Sequence, residues 1–326
     1  MKKIKICILL VISLFELTSC ALESEVYDSI NGSIFPTTES DAEALVTGNA
    51  YSVFMNNGYD GMFNVATGVL IVSDLMSDYG ECTWRGWEPI LYNRWTVGNG
   101  YNDNHWRWAK YMGKMTMTID RIENMDLSEE LKTRYLAELH CARGWLAFCM
   151  WDLYGPIPIA DIETLKKPLE EKIIPRLSEE EMQNFIVTEL TEAASNLPYS
   201  YAKDNENYGR FTKGLCNMVL LKFYMQTKQW AKAEALGKEL TKSEYGYKLE
   251  PDYTSIFKLA NEKNTETIWA VNCLRGTQVH KWHPHVLPND FPGTETLTKW
   301  NGWKISWDFF DTFEPGDKRL ETIIYS

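Results

Sequence analysis

The stretch SEELKTRYLAELHCARGWLAFCMWDLYGP, Ser128 to Pro156, decides the fold. Ser128 is a helix N-cap followed by Glu129 and Glu130, which favour the positive end of a helix dipole. Leu131, Tyr135, Leu139, Ala142, Leu146, Met150 and Leu153 then recur every three or four residues, the spacing of one helix face. From Trp145 to Tyr154 the segment is apolar almost all round, so this half is expected to be covered on several sides. Gly144 costs about 1 kcal/mol against alanine in a helix interior, which points to close approach of a second helix. Gly155-Pro156 stops the run.

Outward from this helix the pattern stays helical. Ala42, Val46, Ala50 and Val53 share a face, and a further helix is expected from about Asn104 to Asn124. Ser178-Glu-Glu-Glu181 is a capping box that opens a helix carrying Met182, Phe185, Ile186, Leu190, Ala193 and Leu197, stopped by Pro198. After a polar loop at 199–210, two helices over 213–226 and 230–242 flank the linker Thr227-Lys-Gln229, which makes them an antiparallel hairpin. The placement of Gly214, Trp230 and Ala233 resembles one tetratricopeptide unit. Beyond Gly246 the pattern changes: 267–272 alternates like a short strand, 275–304 is rich in Gly and Pro, and 308–313 is a brief helix. The expected class is all-α, with TPR-like hairpins, long aromatic-rich loops and little β.

The chain has 326 residues, 44% hydrophobic and 24% charged, which is globular and excludes general disorder, collagen and a polytopic membrane protein. Thirty-three basic against 45 acidic residues give a net charge of −12, unfavourable for nucleic acid. Residues 1–19 read as a signal peptide: Lys2, Lys3 and Lys5, then an apolar stretch from Ile6 to Phe15 too short to span a membrane as a helix. Leu17-Thr-Ser-Cys20 matches a bacterial lipobox, so Cys20 is the expected lipidation site. Residues 20–39 are then a tether and 40–326 one helical domain. The cysteines after Cys20 are five in number and include no CxxC pair. Cys141 and Cys149, about 12 Å apart along one helix, read as small buried apolar residues.

Two loops carry the chemistry. Residues 78–106 hold Asp78, Trp84, Arg85, Trp87, Tyr92, Asn93, Trp95, Tyr101 and Asn102; residues 282–307 hold Trp282, Trp300, Trp303 and Trp307. Flat aromatics present area for the C–H face of a sugar, while Asp, Asn and Arg pair hydroxyls. The expected ligand contacts are stacking by Trp84, Trp87 and Trp303, with Asp78, Arg85 and Asn102 as polar partners. The competing role for these tryptophans is to anchor long loops to the helical body, and Trp95 and Trp307 are expected in the core. His280, His283 and His285 lack a fourth ligand for a metal site. No P-loop, dinucleotide turn or Ser-His-Asp order is present. Neither a catalytic residue nor a cofactor or metal is expected.

Ordered landmarks carry a family resemblance. After the lipobox come Glu138-Leu-His-Cys-Ala-Arg143-Gly-Trp-Leu-Ala-Phe148 leading to Asp152-Leu-Tyr-Gly-Pro-Ile-Pro158, then Glu189-Leu to Leu197-Pro198, Gly209-Arg-Phe-Thr-Lys213, Tyr247-Lys-Leu249, Tyr253-Thr-Ser-Ile-Phe257, Glu266-Thr-Ile-Trp269 and Phe313-Glu-Pro-Gly-Asp317-Lys-Arg319. In this order the chain resembles the SusD/RagB family of Bacteroidetes surface lipoproteins. Cys141, Gly144 and Lys318 depart from the family's usual Phe, Ala and Pro at packing and turn positions. The resemblance implies a surface-exposed, outer-membrane, lipid-anchored protein that binds glycan without catalysis and passes it to a SusC-like TonB-dependent transporter. It also implies a longer chain, since family members continue well beyond residue 326. A peptide-binding member of the family and a helical glycoside hydrolase are the alternatives; the hydrolase requires two carboxylates at a defined separation.

Overall fold

The computed structural model describes residues 35–55, 61–96, 105–274, 276 and 280–324. The body is built from α1 (Glu39–Val46), α3 (Lys110–Glu123), α4 (Glu129–Tyr154), α5 (Glu179–Asn196), α6 (Lys213–Gln226) and α7 (Trp230–Leu240), with α2 (Val69–Leu75) beside it. The expected all-α architecture is observed. Among the described residues the one sheet has two three-residue strands, β1 (Gly80–Cys82) and β2 (Trp303–Ile305).

Local chemistry sets the boundaries. The Ser128 Oγ accepts from the Leu131 amide at 3.3 Å, and α4 ends at Gly155, whose φ of 69° is open to glycine without strain. Ser178 and Glu181 complete the reciprocal capping box at the start of α5. Thr212 caps α6 by accepting from Leu215. The hairpin of α6 and α7 forms as expected, turning through Lys228 at φ 59°.

The largest helix contact is α4 against α5, and Gly144 lies in it. A methyl at Gly144 would stand 2.8 Å from Leu190 Cγ and 3.0 Å from Glu189 Cβ, so the glycine pays for close approach, as its sequence position suggested. Met150, Leu146, Ile186, Leu190, Cys216 and Phe223 are completely buried in this continuous core. Cys141 is buried with them, while Cys149 is only half-buried; the five described cysteines are free.

Ion pairs, mostly buried, tie the helices through Glu138, Arg143, Glu189 and Arg210, residues singled out in the sequence. Arg210 donates to both Glu138 oxygens of α4 at 2.7 Å and to Glu43 of α1 at 2.6 Å. Glu189 of α5 receives Arg143 at 2.7 Å through one oxygen and a second, shorter contact through the other, with the His140 ring at 3.0 Å. Burial pushes the Glu138 carboxyl above its ordinary value despite the opposing pull of Arg210. At Glu189 burial also pushes upward, but the contacts from His140 and Arg143 outweigh it and hold the carboxyl below its ordinary value. Removing one member of such a pair strands a charge in a poorly solvated site.

Residues 267–272 do not form the expected strand. Side chains fix this segment instead: the Trp269 indole N–H donates to the Gly209 carbonyl at 2.9 Å, and its ring meets Trp145 edge to face at 5.2 Å. Both observed strands lie inside stretches expected to be loop.

Candidate functional site

β1 and β2 pair antiparallel in the register Gly80↔Ile305, Glu81↔Lys304 and Cys82↔Trp303. This pairing brings the two aromatic loops together although more than 200 residues separate them in sequence. The Thr83 amide extends it by donating to Gly302, and the Ser306 amide donates to Tyr79.

The three tryptophans expected to stack on a ligand are neighbours, and they pack against one another. Trp303 meets Trp84 and Trp87 edge to face, each at 4.9 Å between centroids, and its indole N–H donates to the Val65 carbonyl at 3.0 Å. Trp87 is 4% exposed and Trp303 7%. With Val65, Ile71, Val72, Leu75 and Ile90 they form a second hydrophobic cluster, against which the half-buried Trp84, Trp95 and Trp282 pack. Trp87 and Trp303, expected to stack on a ligand, are both largely covered by protein, Trp303 contributing only a small exposed part to the lining of the cleft described below. Trp84 is half-buried, and Gly302 is the residue that admits it, since a Cβ there would lie 2.3 Å from the ring.

Asp78 and Arg85 are exposed, Arg85 in the short turn Arg85–Trp87. Asn102 and Cys20 lie outside the described residues, as does Tyr101. His285 points inward, 5% exposed, with its Nδ1–H directed at the Lys281 carbonyl at 2.6 Å and its ring parallel to Trp303. Burial lowers its pKa, so it stays neutral near pH 7. His280 and His283 are exposed, His283 in the short helical turn Trp282–Val286 that also carries His285. Among the described residues no three metal-binding side chains converge.

The open aromatic surface lies on the other side of β2. Ser306 accepts from the Phe309 amide at 3.2 Å and so starts α8 (Trp307–Phe310). Trp307, the first residue of that turn, is 63% exposed, against the expectation that it belongs to the core; Trp300 is 43% exposed. Trp307 and Phe310 meet edge to face at 5.3 Å and wall a cleft of about 250 Å³. Glu81, Asn301, Lys304 and Ser306 supply its polar groups, and Ile323 and Ile324 add to its apolar lining. Asn301 holds φ 51°, and its amide donates to Leu287, which fixes the turn feeding β2 into the cleft. An aromatic plate beside a carboxylate, an ammonium and an amide matches the C–H faces and hydroxyl edges of a sugar.

No family model matches the chain. A curated SusD-like protein of Bacteroides ovatus is 24% identical over 231 residues, which are 64% of this chain and 40% of that protein. A crystal structure of a SusD-like protein from Bacteroides fragilis superposes with a TM-score of 0.70 at 22% identity, covering 87% of this chain and 54% of its own. Surface glycan-binding protein A from Bacteroides thetaiotaomicron, in complex with laminarihexaose, gives 0.71 at 19% identity over 87% of this chain and 62% of its own. A laminarin binding SusD-like protein gives 0.71 at 18% identity, with 87% and 66% coverage. The chain thus spans well under two thirds of the length of the Bacteroides ovatus and Bacteroides fragilis relatives. This chain is similar in sequence to a curated SusD-like protein and shares the fold of SusD-like structures.

Proposed function

We propose that this chain is a glycan-binding lipoprotein of the cell surface that captures oligo- or polysaccharide and delivers it to a SusC-like TonB-dependent transporter in the outer membrane, without breaking glycosidic bonds. The observation that carries the reading is the exposed Trp307 beside its cleft, with Glu81, Lys304 and Asn301 within the same wall. Two of the similar structures are described as binding laminarin or laminarihexaose, which makes a β-glucan the first ligand to try. Trp307 supplies the stacking plate; Trp84, Asp78 and Arg85 are rim contacts; Trp87 and Trp303 hold the plate's support in place. Asn102 is retained as a further polar contact.

In the same reading residues 1–19 direct export, Cys20 carries the lipid (palmitate among its acyl groups), residues 20–39 are the tether and 40–326 the helical domain. The test is calorimetric titration with laminarihexaose, accompanied by chromatography of the sugar afterwards. Binding with the hexaose recovered whole supports the proposal. Shortened products would favour the hydrolase, and binding of peptides but not sugars the peptide-uptake reading.

A further inference from the structure

The ribbon of β1 and β2 sets two opposite charges face to face. Glu81 and Lys304 are register partners, which puts their Cβ atoms about 4.5–5.5 Å apart on one face of the ribbon. The next pair, Cys82 and Trp303, points to the other face, where Trp303 is buried. Glu81 and Lys304 are both exposed, and both line the cleft walled by Trp307. Elsewhere on the surface such charges close on one another. Lys238 meets Glu234 and Lys242 meets Glu239, each at 2.5 Å, and Lys318 meets Glu321 at 2.7 Å. Glu81 and Lys304 make no ion pair and no hydrogen bond with any described residue. Asn301 beside them is held by its backbone, its carbonyl accepting from Thr83 Oγ1 and its amide donating to Leu287. Its side-chain amide is open among the described residues.

Two open charges that sum to zero suit a neutral ligand with adjacent hydroxyls. A hydroxyl both donates and accepts. One hydroxyl of a sugar ring donates to the Glu81 carboxylate while its neighbour accepts from the Lys304 ammonium. A carboxylate on the sugar breaks this arrangement. Lys304 alone would draw it in, but Glu81 stands directly opposite and repels it, in a chain whose net charge is already −12. One unit charge at about 4 Å changes an affinity roughly fivefold even in bulk water. We propose that Glu81 is the specificity-determining residue of the cleft, selecting neutral glycan chains against chains of uronic acids, with Lys304 as the donor whose charge it balances. The inference rests on the glycan reading of the cleft and names the class of sugar the cleft takes.

The test is calorimetric titration of the full chain at low salt with two sugars of one backbone. One is laminarihexaose; the other is laminarihexaose with its primary hydroxyls oxidised to carboxylates. The unaltered chain should bind the oxidised sugar about fivefold or more weakly than the neutral one. Glu81→Gln should bring the two affinities together, chiefly by tightening the oxidised sugar, and Lys304→Gln should widen the gap. Asp308→Asn removes the same charge one residue from Trp307, outside the cleft lining, and should leave the ratio of affinities unmoved. Salt at about 1 M, where the Debye length is about 3 Å, should narrow the gap for the unaltered chain. Melting temperature and far-ultraviolet dichroism check that each variant is folded. Equal affinity of the unaltered chain for the two sugars would overturn the inference and leave the glycan reading standing. So would a gap that is indifferent to salt, that either cleft variant fails to move as stated, or that Asp308→Asn narrows as much as Glu81→Gln. Binding of neither sugar by the unaltered chain would sink the glycan reading and this inference with it.

Discussion

The helical body and the aromatic lobe use the same kinds of residue for opposite ends. In the body, Trp145 and Phe54 stack at 4.3 Å inside a core sealed by long helices, and the buried carboxylates Glu138 and Glu189 are paired with Arg210 and Arg143. In the lobe, two strands of three residues and a cluster of seven buried side chains hold the loops together, and tryptophans remain at the surface. A small support with few buried aliphatics cannot cover every ring it carries. The body therefore sets stability, and the lobe is where an uncovered indole is available for a ligand.

That contrast is open to attack by substitution. The largest effect is expected from Arg210→Met, which strands Glu138, a residue with no exposed surface. Loss of a partner from a buried pair costs about 3–5 kcal/mol, so the chemical denaturation midpoint should fall sharply, while the fraction still folded binds sugar normally. A midpoint unmoved would show that the ion pairs do not hold the body.

Alanine at two glycines sharpens the comparison. Gly144→Ala intrudes on Leu190 and Gly302→Ala on Trp84, and overpacking costs about 1–3 kcal/mol in either place. Gly144→Ala should lower the melting temperature of the whole chain. Gly302→Ala should change near-ultraviolet dichroism and tryptophan emission with helicity retained. The contrast fails if both variants melt alike with unchanged aromatic spectra.

A smaller effect is expected from acid. The folded-state carboxyl of Glu189 lies below the ordinary value near 4.5. Its contribution to stability is then complete above that value and is lost as pH falls through the lower, folded one. Glu189→Gln should flatten the decline of stability with acid in this window; an unchanged slope would remove Glu189 from the account.

Much of the body is legible in the sequence because its signals are local. The spacing from Leu131 to Leu153, the Ser178 capping box and the short linker at 227–229 each specify structure within a few residues. Glu138, Arg143, Glu189 and Arg210 stand out in sequence as landmarks, yet their pairing across up to 72 positions becomes visible only once the helices are placed. The lobe is harder. The β1–β2 pairing joins Cys82 to Trp303, and no periodicity announces two strands of three residues. Which tryptophan is covered depends on that pairing: Trp303 faces inward opposite Cys82, while Trp307, started by the Ser306 cap, faces out. The composition of the two loops points to a candidate site, and it does not order the rings within it. The strand expected at 267–272 fails for a related reason: alternating residues there satisfy side-chain contacts to Trp145 and Gly209 and find no neighbouring strand.

The central claim is that an exposed indole in the lobe holds sugar and leaves it intact, and titration of Trp307→Ala with laminarihexaose beside the unaltered chain tests it most directly. Loss of one stacking contact worth about 1 kcal/mol corresponds to a roughly fivefold weaker Kd. The account predicts that weakening with an unchanged melting temperature and with the hexaose recovered whole from both proteins. Equal affinity of the two proteins, or shortened sugar in either sample, would contradict it.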